Sequence, residues 1–283
     1  MYNKKKFIEK LKNRDKAVTI TIGNQKGGVG KTTNGTMICY TLAKMGVKTL
    51  VIDLDPQANA TKALLLTKSN HSDDIFTVDK TIMAGVQDDD LTDLPVNIMP
   101  DLDLLPSYSD FKGFTRFLYR NTQTDYEVDH YLEHLIEPLK ASYDVIFIDI
   151  PPFSIETTNN AAILSDYVLI SLQTQERSMT GAEDFLKTLS NVIEKYNLDT
   201  DILGIIEVLQ KKQGSVDKYI MDQAVKEFGK ENIFETVIPQ MERLKRFDVN
   251  GIEEVDFFDK QVIGLYYKLT EEFLKRLHHY LYE

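Results

Sequence analysis

The chain has a single cysteine in 283 residues. Cys39 alone excludes an internal disulfide and any multi-cysteine metal site, and its isolation agrees with a reducing compartment. Long hydrophobic runs are also missing, since no apolar stretch approaches the roughly 20 residues that cross a bilayer. Lys4-Lys5-Lys6 is followed by alternating charged and apolar residues, not by the apolar core of a secretory leader. A cytoplasmic protein without a membrane partner is therefore expected. Basic charge is scarce, with 33 Lys and Arg against 44 Asp and Glu and a net charge of −11. That balance argues against a surface that is basic all over, as a constitutive nucleic-acid coat would have. The cations are unevenly placed: residues 1–17 hold seven basic and two acidic side chains, which leaves −16 for the rest. Contact with DNA would have to come from local patches.

What is present fits an ordinary globular protein, 42% hydrophobic and 27% charged. The expected organisation is a basic extension over residues 1–16 and one domain over 17–283. From Ala17 onward short β-branched runs alternate with segments of helical period, the pattern of βαβ units in a doubly wound, mostly parallel α/β sheet flanked by helices. Strands are expected at Val18–Ile22, Thr49–Asp53, Leu102–Leu105, Val145–Ile150, Tyr167–Leu172, Ile202–Val208 and Val237–Ile238. Helices are expected at Thr32–Met45, Val128–Leu139, Thr180–Tyr196, Val216–Phe228 and Lys260–Leu281. Two segments resist the pattern. Ser69–Pro100 reads as a polar excursion with a short helix near Val78–Ala84. Ser107–Gln123 mixes Phe111, Phe114, Phe117 and Tyr119 with Arg116 and Arg120, and reads as a helix packing aromatics on the core or as a surface that stacks bases.

The chemistry concentrates behind the first strand. Val18–Ile22 runs into Lys26-Gly27-Gly28-Val29-Gly30-Lys31-Thr32-Thr33 and then a helix, the arrangement in which backbone N–H groups and a helix N-terminus cradle phosphate oxygens. Gly27, Gly28 and Gly30 let the chain wrap closely with no Cβ in the way. In such a loop Lys31 bridges the β- and γ-phosphates and the Thr32 hydroxyl ligates Mg²⁺. A dinucleotide reading fails, because Thr33 stands where the third glycine belongs. Two strands then end in carboxylates. Val51-Ile52-Asp53-Leu54-Asp55 follows the first helix as the adjacent strand of a βαβ unit would, and Val145-Ile146-Phe147-Ile148-Asp149 closes on an aspartate in the Walker B position. Ligands bind at the carboxyl ends of such strands, so the three elements can converge.

A strict Walker A loop has glycine where this chain has Gln25. The stretch Gln25–Thr33, with its extra Lys26, resembles the deviant loop of the ParA/MinD/nitrogenase-iron-protein class of P-loop NTPases (the SIMIBI class). Asp53–Thr61, Asp149-Ile150-Pro151-Pro152, Leu102–Ser107, Asn159–Ile170 and Val237-Ile238-Pro239 are similar to the ParA/Soj partition ATPases over roughly residues 17–275. Asn250-Gly251-Ile252 and the basic N-terminus resemble the delta-type partition proteins of Gram-positive plasmids.

The resemblance implies a Mg²⁺-dependent ATPase that forms an ATP sandwich homodimer, with Lys26 reaching the opposite nucleotide. It implies that Asp55 positions the hydrolytic water, that Asp149 holds Mg²⁺ through water, that Thr33 contacts the α-phosphate and that the backbone near Pro239 flanks adenine. Lys26, Lys31, Asp55 and Asp149 would be the catalytic set, with Gly27, Gly28, Val29, Gly30 and Thr32 completing the nucleotide cradle. It further implies nonspecific, nucleoid-associated DNA binding, through Lys211, Lys212, Arg243, Lys245 and Arg246. Hydrolysis would be triggered by a centromere-binding adaptor, ParB-like or ribbon-helix-helix.

Other readings stay open. A MinD-like protein would sit on membranes through Gly264–Glu283, using Tyr266, Tyr267, Phe273, Tyr280 and Tyr282. An ATP-dependent scaffold or transcriptional regulator is the other alternative. His130-Tyr131-Leu132-Glu133-His134 matches a zinc-peptidase pattern, set against its place in a connecting helix. Cys39 is expected in the core, and Lys4–Lys16 is either an arm for DNA or a partner, or a solvated helix.

Overall fold

The structure, a computed structural model, describes residues 2–70, 77–209 and 214–282. In chain order the elements are α1 (Lys4–Lys12), β1 (Val18–Gly23), α2 (Lys31–Lys44), β2 (Thr49–Asp53), α3 (Asn59–Ser69), α4 (Ile82–Asp88), β3 (Val96–Met99) and β4 (Leu102–Leu105). A 3₁₀ turn at Ser109–Gly113 leads into α5 (Phe114–Asn121), α6 (Asp125–Asp129), α7 (Glu133–Lys140), β5 (Val145–Asp149), α8 (Ile155–Leu164), β6 (Tyr167–Gln173), α9 (Glu176–Tyr196) and β7 (Asp201–Val208). The chain ends in α10 (Ser215–Phe228), a 3₁₀ turn at Lys230–Asn232, α11 (Glu242–Asn250) and α12 (Phe257–Tyr282).

The strands form one seven-stranded sheet in the order β3-β4-β2-β5-β1-β6-β7. Every neighbouring pair is parallel except β3 with β4. β1, β2 and β5 are buried along their whole length, which is why their sequences are apolar on both faces. Side chains of α1, α2, α3, α11 and α12 pack on one face, and those of α4 to α10 on the other. The expected doubly wound α/β fold is therefore present.

Several local expectations change. β2 does not pair with β1: β5 lies between them, aligning Ile22 with Asp149 and Asp53 with Asp149. Val237–Ile238 forms no strand and contributes only a parallel bridge from Ile238 to Val208. The expected helix over Val128–Leu139 is broken at His130–Leu132 into α6 and α7. In the polar excursion the short helix lies at Ile82–Asp88, followed by the antiparallel edge strand β3. The aromatics of Ser107–Gln123 divide, with Phe111 and Phe114 stacked in the core and Tyr119 exposed.

The basic N-terminus is a helix with a buried face. Phe7 and Leu11, four residues apart, are both 1% exposed, and Phe7 meets His278 and Tyr282 of α12 edge-on. Burying two such side chains is worth about 1.5–3 kcal/mol each. α12 is likewise spent on the fold: Tyr266 and Phe273 are fully buried against the sheet, so they supply no membrane face. Among the described residues no helix is long and apolar enough to cross a membrane. Cys39 is buried in α2.

Candidate nucleotide site

The site begins where β1 stops. Asn24 is almost fully buried; its amide donates to the carbonyls of Ser171 and Ser178, and its Oδ1 accepts from Lys26 N at 2.7 Å. Gln25, at the position a strict Walker A gives to glycine, is tied to α9. Its N–H donates to the Gly181 carbonyl at 3.1 Å, and its side-chain amide reaches Thr188 Oγ1 at 3.1 Å. Gly181 has to be glycine for this approach, since a Cβ there would lie 2.5 Å from Asn24 Oδ1 and 2.9 Å from Lys26 N. Gly28 and Gly30 have φ of +73° and +88°, the left-handed region that glycine enters freely. Ser171 Oγ donates to the Val29 carbonyl and accepts from Asn34, whose Oδ1 in turn accepts from Tyr266 OH. The loop is thus fastened to β6, α9 and α12.

The β1–β5 and β2–β5 registers bring three strand ends together. Thr32 Oγ1 donates to Asp149 Oδ2 at 2.7 Å, while the buried Asp149 Oδ1 has no hydrogen-bond partner. Burial first, and Asp53 next, lift the Asp149 carboxyl to about 8. Asp53 is fully buried and fully engaged: it accepts from Thr61 N, Thr61 Oγ1 and Asp55 N. Burial nevertheless lifts it to about 6. Its work is to hold the Asp55–Thr61 segment in shape. Asp55 Oδ1 accepts from Gln57 N at 2.8 Å, and Asp55 lines a cavity of about 630 Å³ together with Gly27, Gly28, Gly30, Lys31, Thr32 and Thr33. Pro151 and Pro152 close its other side. Ala58 and Phe153, one in each aspartate segment, have positive φ without being glycine, a local strain common where segments switch.

The two lysines differ. Lys31 is 6% exposed, its Nζ donates to the Lys26 carbonyl, and burial pulls its pKa down against the attraction of Asp149 and Asp55. The Nζ of Lys26 has no ion pair or side-chain hydrogen bond among the described residues. A second cavity of about 140 Å³ adjoins the first and is lined by Gly28, Gly30, Thr33, Val208, Leu209, Ile238, Pro239 and Tyr266. Pro239 therefore shares a cavity with Gly28, Gly30 and Thr33 of the loop.

The expected DNA contacts are less united. Lys211 and Lys212 lie outside the described residues. Arg243 is clamped between Asp256 and Asp259, the latter at 3.1 Å, with its guanidinium 5.7 Å from the Phe258 ring. Lys245 pairs with Glu242 at 2.8 Å and lines the smaller cavity. Arg246 is exposed and has no partner among the described residues. His130 stacks on Tyr126 and His134 pairs with Asp89, and no group of three or more potential metal ligands occurs among the described residues.

The anchors Gly181, Asn24 and Ser171 are not legible in the sequence, and Asp53, legible as a strand-end carboxylate, turns out to hold its own segment through Thr61 and Asp55. A glycine inside the helical run Thr180–Tyr196 was the one signal available for Gly181.

The AAA_31 family model, described as an AAA domain, matches residues 17–202. The chain is 30% identical over 260 residues to the chromosome-partitioning ATPase Soj of Treponema pallidum, covering 91% of this chain and 97% of that protein. It is 29% identical over 256 residues to the sporulation initiation inhibitor protein Soj of Bacillus subtilis, covering 89% and 96%. Among solved structures it resembles a plasmid partition protein of Borrelia burgdorferi bound to AMPPNP, with a TM-score of 0.71, 26% identity and coverage of 92% and 99%.

Proposed function

Because the chain belongs to the ParA/Soj family of partition ATPases, we propose that it is an ATP-driven DNA-segregation ATPase. In this reading ATP brings two copies together, the dimer holds DNA without sequence preference, and hydrolysis stimulated by a centromere-binding adaptor releases it. The observation that carries the reading is the split between two lysines in one loop. Lys31 is buried within its own site, whereas the Lys26 ammonium group has no partner among the described residues. A cation next in the chain to the cavity-lining Gly27, without a carboxylate of its own among the described residues, suits a phosphate presented by a second subunit.

The residues assign themselves to ATP chemistry. The amides of Gly27–Thr33 and the N-terminus of α2 receive the phosphates, and Lys31 lies against the β- and γ-phosphates. The donor set fits Mg²⁺: a threonine hydroxyl already aimed at Asp149, and a buried carboxylate oxygen with nothing else to bind. Thr32 and Asp149 would hold the Mg²⁺, Thr32 through its hydroxyl and Asp149 through water, and the ion would supply charge neutralisation to the phosphates. Asp55 has one oxygen fixed by Gln57 N, which leaves the other to orient the attacking water at the cavity wall. The smaller cavity at Pro239 takes the adenine edge.

Molar mass in solution tests the assembly step. Asp55→Ala, which binds ATP without turning it over, is expected to be a dimer with ATP and a monomer with ADP. Adding Lys26→Ala is expected to return it to monomer. A monomer at saturating ATP in Asp55→Ala itself would remove dimerisation from the mechanism.

A further inference from the structure

Asp248 is an acidic side chain to which the nucleotide reading gives no role. It belongs to α11, outside the phosphate loop and both aspartate segments, yet it lines the main cavity and also the smaller one beside Pro239. Thr33 Oγ1 donates toward both of its oxygens, at 3.3 and 3.5 Å. These contacts are at the long edge of hydrogen-bond geometry and reach an exposed carboxylate, so they exchange readily for a better acceptor. Thr33 sits in the first turn of α2, where free amides and the helix dipole favour an anion. In this structure the anion at Thr33 is the carboxylate of Asp248.

We propose that Asp248 is a built-in competitor for the nucleotide: its carboxylate holds the place at Thr33 that a phosphate oxygen takes, and binding must displace it. The proposal rests on the nucleotide reading above and needs neither DNA nor an adaptor. One hydroxyl proton serves one strong acceptor, so the phosphate and the carboxylate cannot both keep Thr33. Like charges about 5 Å apart in a solvent-facing cleft repel enough to change a binding constant about tenfold. The exchange also has a mechanical side. The Thr33–Asp248 contacts are the side-chain hydrogen bonds described between α2 and α11. Losing them leaves α11 packed on the core through Leu244 and Phe247 and tied by the Arg243 clamp to Asp256 and Asp259 and by the bond from Asn70 to the Asn250 carbonyl, so the helix adjusts at its cavity-facing side without leaving the core. α11 carries Lys245 and Arg246, so phosphate arrival is registered on the helix that bears exposed cations.

The test is a titration of the full chain with fluorescent ATPγS and with ADP, at low and high salt, for the unaltered protein, Asp248→Asn, Asp248→Ala and Asp248→Glu. The expected result is binding about tenfold tighter in Asp248→Asn and Asp248→Ala for both nucleotides, a gain that shrinks as salt screens the repulsion. Asp248→Glu is expected to stay within about twofold of the unaltered chain, as a retained charge requires. Unchanged or weaker binding in Asp248→Asn and Asp248→Ala, with melting temperatures like the parent's, overturns the proposal. If weakening appears with ATP but not with 2′-deoxy-ATP, the carboxylate is a sugar acceptor instead and competition is equally excluded. Failure of the unaltered chain to bind any nucleotide would bring down the nucleotide reading itself, and this proposal with it.

Discussion

The phosphate loop and α11 both carry basic residues close to one cavity, yet the fold treats those charges in opposite ways. In the loop, Lys31 is buried under the attraction of Asp149 and Asp55 without a close ion pair among the described residues, and the Lys26 ammonium has no partner among them either. In α11, Arg243 is consumed by Asp256 and Asp259, Lys245 is paired with Glu242, and Arg246 alone of the three is unpaired among the described residues. A charge kept unpaired is available to a ligand, whereas a paired one first has to give up its partner. The loop's two lysines are therefore open to a phosphate as folded, and the acidic group in the phosphate's way is Asp248 at Thr33. α11 offers one cation per copy at once and the others only after rearrangement, so a dimer doubles a small patch rather than presenting a large one.

The largest expected effect is on the loop side. Lys31→Ala removes the buried cation that faces the phosphates and is expected to weaken ATP binding about 100-fold or more, measured by titration calorimetry. Asp55→Ala is expected to lower ATP turnover by about 10²–10⁴ while nucleotide affinity changes only severalfold, as the proposed water-orienting role requires. Normal turnover in that variant would show that another group activates the water.

On the α11 side the contrast predicts a division of labour. Arg246→Ala is expected to weaken DNA binding a few-fold and to reduce the salt slope by about one per copy, without changing the melting temperature. Arg243→Ala, which strips the buried Asp259 of its cation, is expected to cost about 2 kcal/mol of stability, read by denaturant titration. If Arg243→Ala instead loses DNA affinity at full stability, the clamp opens in the DNA-bound state and the comparison is wrong at that residue.

A last effect, on stability alone, lies away from both regions. Glu207 in β7 is buried, its Oε1 has no hydrogen-bond partner, and burial followed by repulsion from Asp222 lifts it to about 7. Its folded pKa is above the unfolded value, so between about pH 4.5 and 7 the native state binds more protons and stability falls as pH rises. Glu207→Gln is expected to flatten that fall and to stabilise the protein at pH 8 by on the order of 2 kcal/mol relative to pH 5. Parallel pH–stability curves for the two proteins would show that Glu207 is not the group responsible.

The sequence showed the loop, the ends of β1, β2 and β5, and the helix α2 with little displacement, because buried strands and a glycine turn leave strong local patterns. It hid what depends on distant chain. That β5 enters between β1 and β2 is a fact of topology that strand order along the chain does not carry, yet it is what sets Asp149 beside Thr32 and Asp53. α3, α8 and α11 went unrecognised: small polar residues and alanine interrupt any stripe in α3 and α8, and α11 is short and mostly charged. β3 is a short edge strand with one fully buried residue, Ile98, so it lacks the apolar run of its neighbours. The pairing of Arg243 with Asp256 and Asp259 spans a turn between two helices, and from the sequence a free arginine and a clamped one look alike. Phe7 and Leu11, four residues apart in the lysine run, were a legible cue that α1 packs on the body of the protein.

The central claim is that nucleotide state decides DNA binding. Its most direct measurement is retention on nonspecific DNA and on anionic vesicles, each with ATP and with ADP, at two salt concentrations. The account predicts retention on DNA with ATP only, falling steeply with salt, and none on vesicles. Equal DNA retention with ATP and ADP, or ATP-dependent retention on vesicles instead of DNA, would contradict it.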